Sequence, residues 1–202
     1  MDRQLVIIFA RAPRYGAVKS RLAKDIGTGE ALRFHKTALD QLLRSVGRDP
    51  RWQTILALTP DLAVTERAAR WPRRSTQGRG DLGTRMVRAL RDTGAHRPTV
   101  IIGSDIPDIT PARVSAAFRA LGRAPYVLGP AADGGYWLIG ARHPERLRAN
   151  ALDDVRWSTS HARADTIAKL GAANVAVMPF ELEDIDDAAA YDSWRARTTK
   201  SL

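Results

Sequence analysis

Short runs of apolar, β-branched residues alternate with longer stretches in which apolar positions recur every three or four residues. That alternation predicts an α/β domain on a largely parallel sheet. The first run, LVIIFA at 5–10, is apolar at every position, so both faces of that strand are covered and it belongs toward the middle of the sheet. Leu32, Ala38, Leu39, Leu42, Leu43 and Val46 then recur at helical spacing, with Thr28 in capping position. TILALTP (54–60) predicts a second strand, residues 62–70 a short helix, PRRSTQGRGDLG (72–83) a loop, and Met86, Val87 and Leu90 another helix. TVIIG (99–103) is the next strand, and Thr110 followed by Pro111 opens a helix in cap-then-proline order.

The rhythm then changes. YVLGPAADGGYWLIGA (126–141) places two strand-like runs around a short loop with no helix between them, which predicts a hairpin-like, locally antiparallel element. Ser158 or Thr159 caps a helix reaching about Gly171, NVAVMPF (174–180) is a last strand, and DIDDAAAYDSW (184–194) starts a final helix. With no internal repeat, low-complexity tract or linker, residues 1–202 read as one domain.

Composition narrows the chemistry. No apolar run approaches the roughly 18 residues that a membrane-spanning helix needs, and Met1 leads straight into a strand, so membrane insertion is not expected and a cytoplasmic location is. The chain has no cysteine, which excludes disulfides, thiolate metal sites and thiol catalysis. A metal must therefore use oxygen or imidazole ligands. Thirty-two Lys and Arg against 22 Asp and Glu leave a formal charge of +10, a balance that favours phosphate-bearing partners. Arginines spread over solvated helix faces account for most of the excess, and no nucleic-acid motif accompanies them. A basic nucleic-acid-binding module is thus the least favoured reading of the charge, and a nucleic-acid partner is not expected.

FARAPRYGAVKSRLAKD (9–25) follows the first strand and holds Arg11, Arg14, Lys19, Arg21 and Lys24. It matches neither a P-loop nor a dinucleotide loop, so its charge comes from side chains. Arg11, Lys19 and Arg21 at the carboxyl end of a central strand suit a diphosphate or triphosphate; the plain reading is a solvated basic loop. IIGSDIPDIT (101–110) ends a buried strand with Asp105 and Asp108. Magnesium or manganese takes one or two carboxylates and completes its shell with water and substrate phosphates, a role that fits Asp105, whereas Asp108 serves the turn or the following helix. Asp184, Asp186 and Asp187 precede the final helix, where carboxylates are favourable with or without a metal. If the last strand returns beside the one ending at Gly103, Asp186 supplies a second oxygen ligand.

In GRGDLGTRM (78–86), Gly80 and Gly83 flank Asp81 at a helix start where exposed amides can receive a base or ribose, or form an ordinary loop-to-helix junction. Asp133, Gly134 and Gly135 precede Tyr136 and Trp137, a pair that reads as packing before it reads as a stacking platform. DVRWSTS adds Trp157 and Ser158. Both stretches border a possible acceptor pocket.

FARAPRYGAVKSRLA, GDLGTRM, GSDIPDIT, GPAADGGYWLIG, VRWSTS and DID, in that order over almost the whole chain, together resemble the bacterial DUF2064 family of glycosyltransferase-like proteins within the nucleotide-diphospho-sugar transferase superfamily. The resemblance implies a GT-A-like three-layer α/β/α fold with a mostly parallel mixed sheet. It implies Arg11, Lys19 and Arg21 near phosphates, Gly80, Asp81 and Gly83 near the nucleoside, and Asp105 as the carboxylate for Mg2+ or Mn2+. Gly134, Gly135, Tyr136, Trp157 and Ser158 would face the acceptor. Asp187 and Ala188 replace the Thr-Pro that usually completes the family's last motif. The basic loop is also similar to that of phospholactate guanylyltransferases in its Lys-Ser-Arg-Leu run.

Two activities follow from these residues. In the first, a metal-dependent glycosyltransferase uses a nucleotide-sugar donor, with Asp133 as general base on the hydroxyl of a small-molecule acceptor. In the second, a nucleotidylyltransferase takes a nucleoside triphosphate and releases pyrophosphate.

Overall fold

The computed structural model describes residues 3–64, 73–94 and 96–199. Strand β1 (Gln4–Arg11) pairs in parallel with β2 (Trp52–Thr59) on one side and β4 (Thr99–Gly103) on the other, so its covered position agrees with its unbroken hydrophobicity. β3 (Arg73–Thr76) lies outside β2, also parallel. β5 (Tyr126–Pro130) and β6 (Tyr136–Ala141) form the antiparallel hairpin, and β7 (Val175–Val177) pairs in parallel with β5. Among the described residues the sheet runs β3-β2-β1-β4-β6-β5-β7, with β6 alone reversed.

Side-chain alternation along β1 divides the core in two. Val6, Ile8 and Ala10 pack with the buried faces of α2 (Thr28–Ser45) and α4 (Pro111–Leu121). Leu5 and Ile7 pack with α3 (Leu82–Gly94) and α5 (Ala162–Leu170), as the period of two along a strand requires. The result is the expected α/β/α sandwich with a mostly parallel mixed sheet. A smaller cluster joins Leu22 of α1 (Leu22–Ile26), Phe34 of α2 and Tyr191 of α6 (Ala188–Thr199). No helix among the described residues is long and apolar enough to cross a membrane.

Several boundaries differ from expectation. The stretch read as a loop at 72–83 contains β3, whose polar sequence suits an edge strand that buries little side-chain surface. Gly27, not Thr28, is the cap of α2; Thr28 is already helical and no side chain caps the turn. Helix α5 begins at Ala162, after a turn in which Thr159 Oγ1 accepts from the His161 N–H at 3.2 Å. The short helix expected at 62–70 is a 3-10 turn over Asp61–Val64, and its remainder lies outside the described residues.

The last strand does not return beside β4, the condition for Asp186 as a second ligand: β7 pairs with β5, because the hairpin places β6 between β4 and β5. The chain nevertheless returns to β4 by another route. Met178 N–H donates to Leu128 O, Leu182 N–H to Pro130 O, and Ile185 N–H to Asp105 O at 3.5 Å. This crossing, rather than strand pairing, carries Asp184 and Asp186 along the sheet edge to Asp105.

Candidate active site

The carboxyl ends of β1 to β5 lie on one edge of the sheet, and the strand order 3-2-1-4 makes the gap between β1 and β4 a topological switch point, where open α/β sheets bind ligands. A cleft of about 490 Å³ opens there. On the β2-β1 side its lining is cationic: Arg11 and Thr59 end those strands, and Gln77, bonded to both, holds Arg85 of α3 there. The other is acidic: Asp105 after β4, Asp133 in the hairpin loop and Asp184 in the returning chain line it with Tyr136, Ser158 and Thr159.

Between β1 and the acidic end sits Lys19, whose side chain is 3% exposed. Its Nζ lies 2.8 Å from Asp186 Oδ1 and 3.5 Å from Asp105 Oδ2. The early basic segment and the mid-chain aspartate therefore meet, in a cation clasped by two carboxylates. Lys19 holds a left-handed backbone, φ 49°, a conformation that costs a non-glycine residue about 1 kcal/mol or more. Arg21 is on the rim, its side chain 78% exposed, with Nη1 3.9 Å from Asp186 Oδ2.

His35 completes the cluster from behind. It is buried on α2, its Nε2 lies 3.0 Å from Arg11 O, and its Nδ1 lies 3.5 Å from Asp105 Oδ1. A carbonyl only accepts, so Nε2 carries the proton in that contact. Burial pushes the Asp105 carboxyl up, but the His35 ring, the Lys19 charge and the Ser104 hydroxyl outweigh it and hold the carboxyl at about 2. Asp184 behaves oppositely: burial, then the neighbouring Asp186 and Asp133 carboxylates, push it up to about 6. The acidic end thus carries more negative charge than Lys19 offsets.

That excess is the test of a divalent ion, and the residues fit one. Lys19 shows that a cation is accommodated between Asp105 and Asp186, and the raised Asp184 shows that further positive charge would be stabilised. No group of three or more candidate ligands is gathered among the described residues, so the candidate pair is Asp105 and Asp186 about Lys19.

The remaining predicted residues fall in two groups. Asp133 lines the cleft, and its Oδ1 also accepts from the Gly135 N–H at 2.8 Å, a turn-forming bond. Gly134, at φ 84°, lets the hairpin loop dock on the turn before α5: a Cβ there would lie 2.3 Å from Ser160 O. Tyr136 and Trp157 meet edge to face at 6.3 Å, both line the cleft, and Ser158 beside them has φ 59°. Trp137 is core, stacked on Phe180. Gly80, Asp81 and Gly83 stand just outside the lining, while Leu82 and Arg85 from the same segment are in it. Asp81 Oδ1 accepts from the Thr84 N–H at 2.8 Å and caps α3. Gly83 admits Trp157, since a Cβ there would lie 2.6 Å from the ring.

Four contributors went unassigned from sequence: His35, Gln77, Arg85 and the cleft-facing role of Asp184. The one signal for His35 was its position among Ala31, Phe34, Ala38 and Leu39 on the buried face of an otherwise regular helix.

The fold is similar to that of solved nucleotide-diphospho-sugar transferase-like structures. Residues 42–159 match the family described as "Uncharacterized protein conserved in bacteria (DUF2064)", and the chain belongs to that family. The matched segment holds Asp105, Asp133 and the cap of α3; the Lys19 loop and the DID motif lie outside it. No curated protein matches the sequence. Among solved structures, a candidate nucleotide-diphospho-sugar transferase of Desulfovibrio desulfuricans G20 superposes with a TM-score of 0.81 at 24% identity, covering 98% of this chain and 96% of the other. A CMP:2-keto-3-deoxy-manno-octonic acid synthetase complexed with CTP gives 0.60 at 14% identity, covering 100% of each chain. Rv0371c of Mycobacterium tuberculosis H37Rv, in complex with manganese, gives 0.56 at 16% identity, covering 97% of each. At these identities the likeness is one of fold.

Proposed function

We propose that this protein is a metal-dependent glycosyltransferase that takes a nucleotide-sugar donor and passes the sugar to a hydroxyl of a small, uncharged acceptor. The observation that carries this reading is the polarity of the cleft. A donor diphosphate suits a site between the Arg11 end and the Lys19 cluster, whereas an acceptor entering beside Asp133, Asp184, Tyr136 and Ser158 meets carboxylates. A phosphorylated acceptor would be repelled there; a hydroxyl would be tolerated and could be deprotonated.

Asp105 and Asp186 would hold Mg2+ or Mn2+ with Asp184 adding negative charge nearby, and the ion would neutralise charge developing on the departing diphosphate. Arg11 and Arg21 add charge-assisted hydrogen bonds to phosphate oxygens. Tyr136 and Trp157 give the sugar or acceptor an apolar surface, and Asp133 receives the acceptor proton. The ion's support among relatives is the manganese complex of Rv0371c.

Nucleotidyl transfer is the second reading, favoured by the CTP-bound synthetase that shares the fold over its full length. Incubation with nucleotide sugars and with nucleoside triphosphates, each with manganese and a panel of acceptors, separates the two. Nucleoside diphosphate as product is expected, and pyrophosphate as product would replace the first reading by the second. Asp105→Ala should lower turnover by about 10³-fold or more with the fold intact. Full activity in that variant would remove the ion from the mechanism.

A further inference from the structure

The cationic end of the cleft contains an arrangement that ion pairing within the protein does not explain. Arg51, Arg156 and Arg163 each take a carboxylate, from Asp49, Asp165 and Glu181. Arg85 and Arg11 take none within ion-pair distance among the described residues, although Arg85 is half-buried and the two line the same cavity. Burial, and then the Arg11 charge, push the Arg85 guanidinium down, and the Asp81 and Asp61 carboxylates offset this only in part. A charge kept from water and set beside a like charge is costly, so something must hold it in place.

Gln77 does so. It is 4% exposed, and its Nε2 donates to Ala10 O at 3.2 Å and to Ala57 O at 3.0 Å. Both amide hydrogens are thereby given to strand carbonyls of β1 and β2, which fixes the orientation of the amide and leaves Oε1 as its acceptor. That oxygen receives Arg85 Nη1 at 2.8 Å, and Arg85 Nε donates to Asp81 O at 3.2 Å. Two edges of the guanidinium are pinned by neutral groups, and the remaining hydrogens, including both on Nη2, have no protein partner among the described residues.

We infer that Arg85, aimed by Gln77 and joined by Arg11, forms an oxyanion subsite that binds a phosphate group without a metal ion. The inference rests on reading the cleft as a nucleotide site and names the part of it that grips phosphate independently of the carboxylate cluster. A guanidinium whose planar fork is already oriented loses little freedom on meeting phosphate oxygens. The acidic end repels a free anion, so an unmetallated phosphate is driven to this end. The source of the phosphate is the donor's own chain of phosphates, and inorganic pyrophosphate carries the same chemistry.

The experiment is calorimetric titration of the purified full-length chain in EDTA with inorganic pyrophosphate, and separately with unphosphorylated nucleosides, at fixed ionic strength. Wild type should bind pyrophosphate saturably in the millimolar range or tighter. Arg85→Met should weaken it by about tenfold or more, as loss of a charge-assisted hydrogen bond implies. Arg85→Lys keeps the charge but not the fork held by Gln77, and should fall between the two. Arg85→Gln, a second neutral replacement, stands in if Arg85→Met fails to fold, which circular dichroism reports. No saturable binding by wild type, or equal binding by wild type and the neutral variants, would overturn the inference. So would nucleoside binding that is lost with Arg85, since the residue would then read a base. Because no turnover and no metal enter the measurement, failure of the transferase reading leaves this result standing, and the reverse also holds.

Discussion

The cationic end of the cleft is assembled from residues within the first 85 positions, on β1, β2 and the helix that follows β3, and its half-buried charge, Arg85, is held in place by neutral partners. The acidic end draws on Asp105, Asp133 and the Asp184–Asp186 stretch, three separated segments, and two of its charges, Asp105 and Asp186, are paired with one buried lysine from a fourth. At the first end Arg85, beside the like charge of Arg11, is oriented by hydrogen bonds to backbone and amide; at the second Lys19 lies between Asp105 and Asp186. An end built by orientation is ready for an anion as it stands. An end built by partial compensation gains from a further cation.

Removing the compensation should give the largest effect. Lys19→Met leaves Asp105 and Asp186 without the ammonium that lies 3.5 and 2.8 Å from them. Deleting one partner of a buried pair can cost 3–5 kcal/mol, but the Asp105 side chain is 48% exposed, so solvent screening reduces the expected loss to about 2 kcal/mol. Denaturant midpoints in EDTA measure it. Manganese should then restore more stability to the variant than it adds to wild type, because an ion can stand where the ammonium stood. An equal manganese effect on both proteins would show that Lys19 and the ion do not share that place.

A smaller effect of opposite sign is expected at Asp184. Its carboxyl lies at about 6 in the folded protein against an ordinary 3.8, so the native state keeps a proton that the unfolded chain releases. Stability therefore falls as pH rises from about 3.8 through about 6, and the deficit is fully present above that window. Asp184→Asn removes it, and should raise stability in EDTA at pH 7 by about 1 to 2 kcal/mol after allowance for screening, with no gain at pH 3.5. Thermal unfolding at the two pH values is the check, and a gain of equal size at both would assign the effect to packing instead. With manganese present the gain should shrink, since the ion stabilises the carboxylate that the amide lacks.

These two ends were not equally legible in the sequence. The apolar strands were readable because a parallel strand covered on both faces must be apolar throughout, as Leu5 to Ile8 are. β3 was not, because an edge strand of sequence RRST owes its conformation to pairing with β2 rather than to its own residues. Arg11, Lys19 and Asp105 were readable because they follow apolar strands or sit in a dense basic loop. Gln77, Arg85 and His35 were not, because each acts through a contact with chain 8 or more positions away, and nothing in their local spacing announces it. Asp186 lies at the Asp105 cluster although the strand pairing that the sequence offered as one route there does not form; the crossing of residues 178–185 over the hairpin is a property of the fold alone.

The two ends also share a device that allows a matched comparison at the smallest scale. Asp81 Oδ1 accepts from the Thr84 N–H at 2.8 Å at the start of α3, and Asp187 Oδ1 accepts from the Ala190 N–H at 2.9 Å at the start of α6. Each is an N-cap aspartate, and Asp187 takes the place where the resembling family carries threonine. Replacing either by alanine should cost about 1 kcal/mol, the usual value of such a cap. The functional consequences should nevertheless diverge. Asp81→Ala loosens the turn whose carbonyl holds Arg85 Nε, so metal-free pyrophosphate binding should weaken several-fold while manganese affinity stays constant. Asp187→Ala loosens the residue after Asp186, so manganese affinity should fall while metal-free pyrophosphate binding is unchanged. Titrating both ligands against both variants makes a two-by-two test: a crossed or uniform pattern would mean that the ends are coupled through the cleft, whereas loss confined to each cap's own end would establish that the protein grips phosphate and metal on independently supported halves of one site.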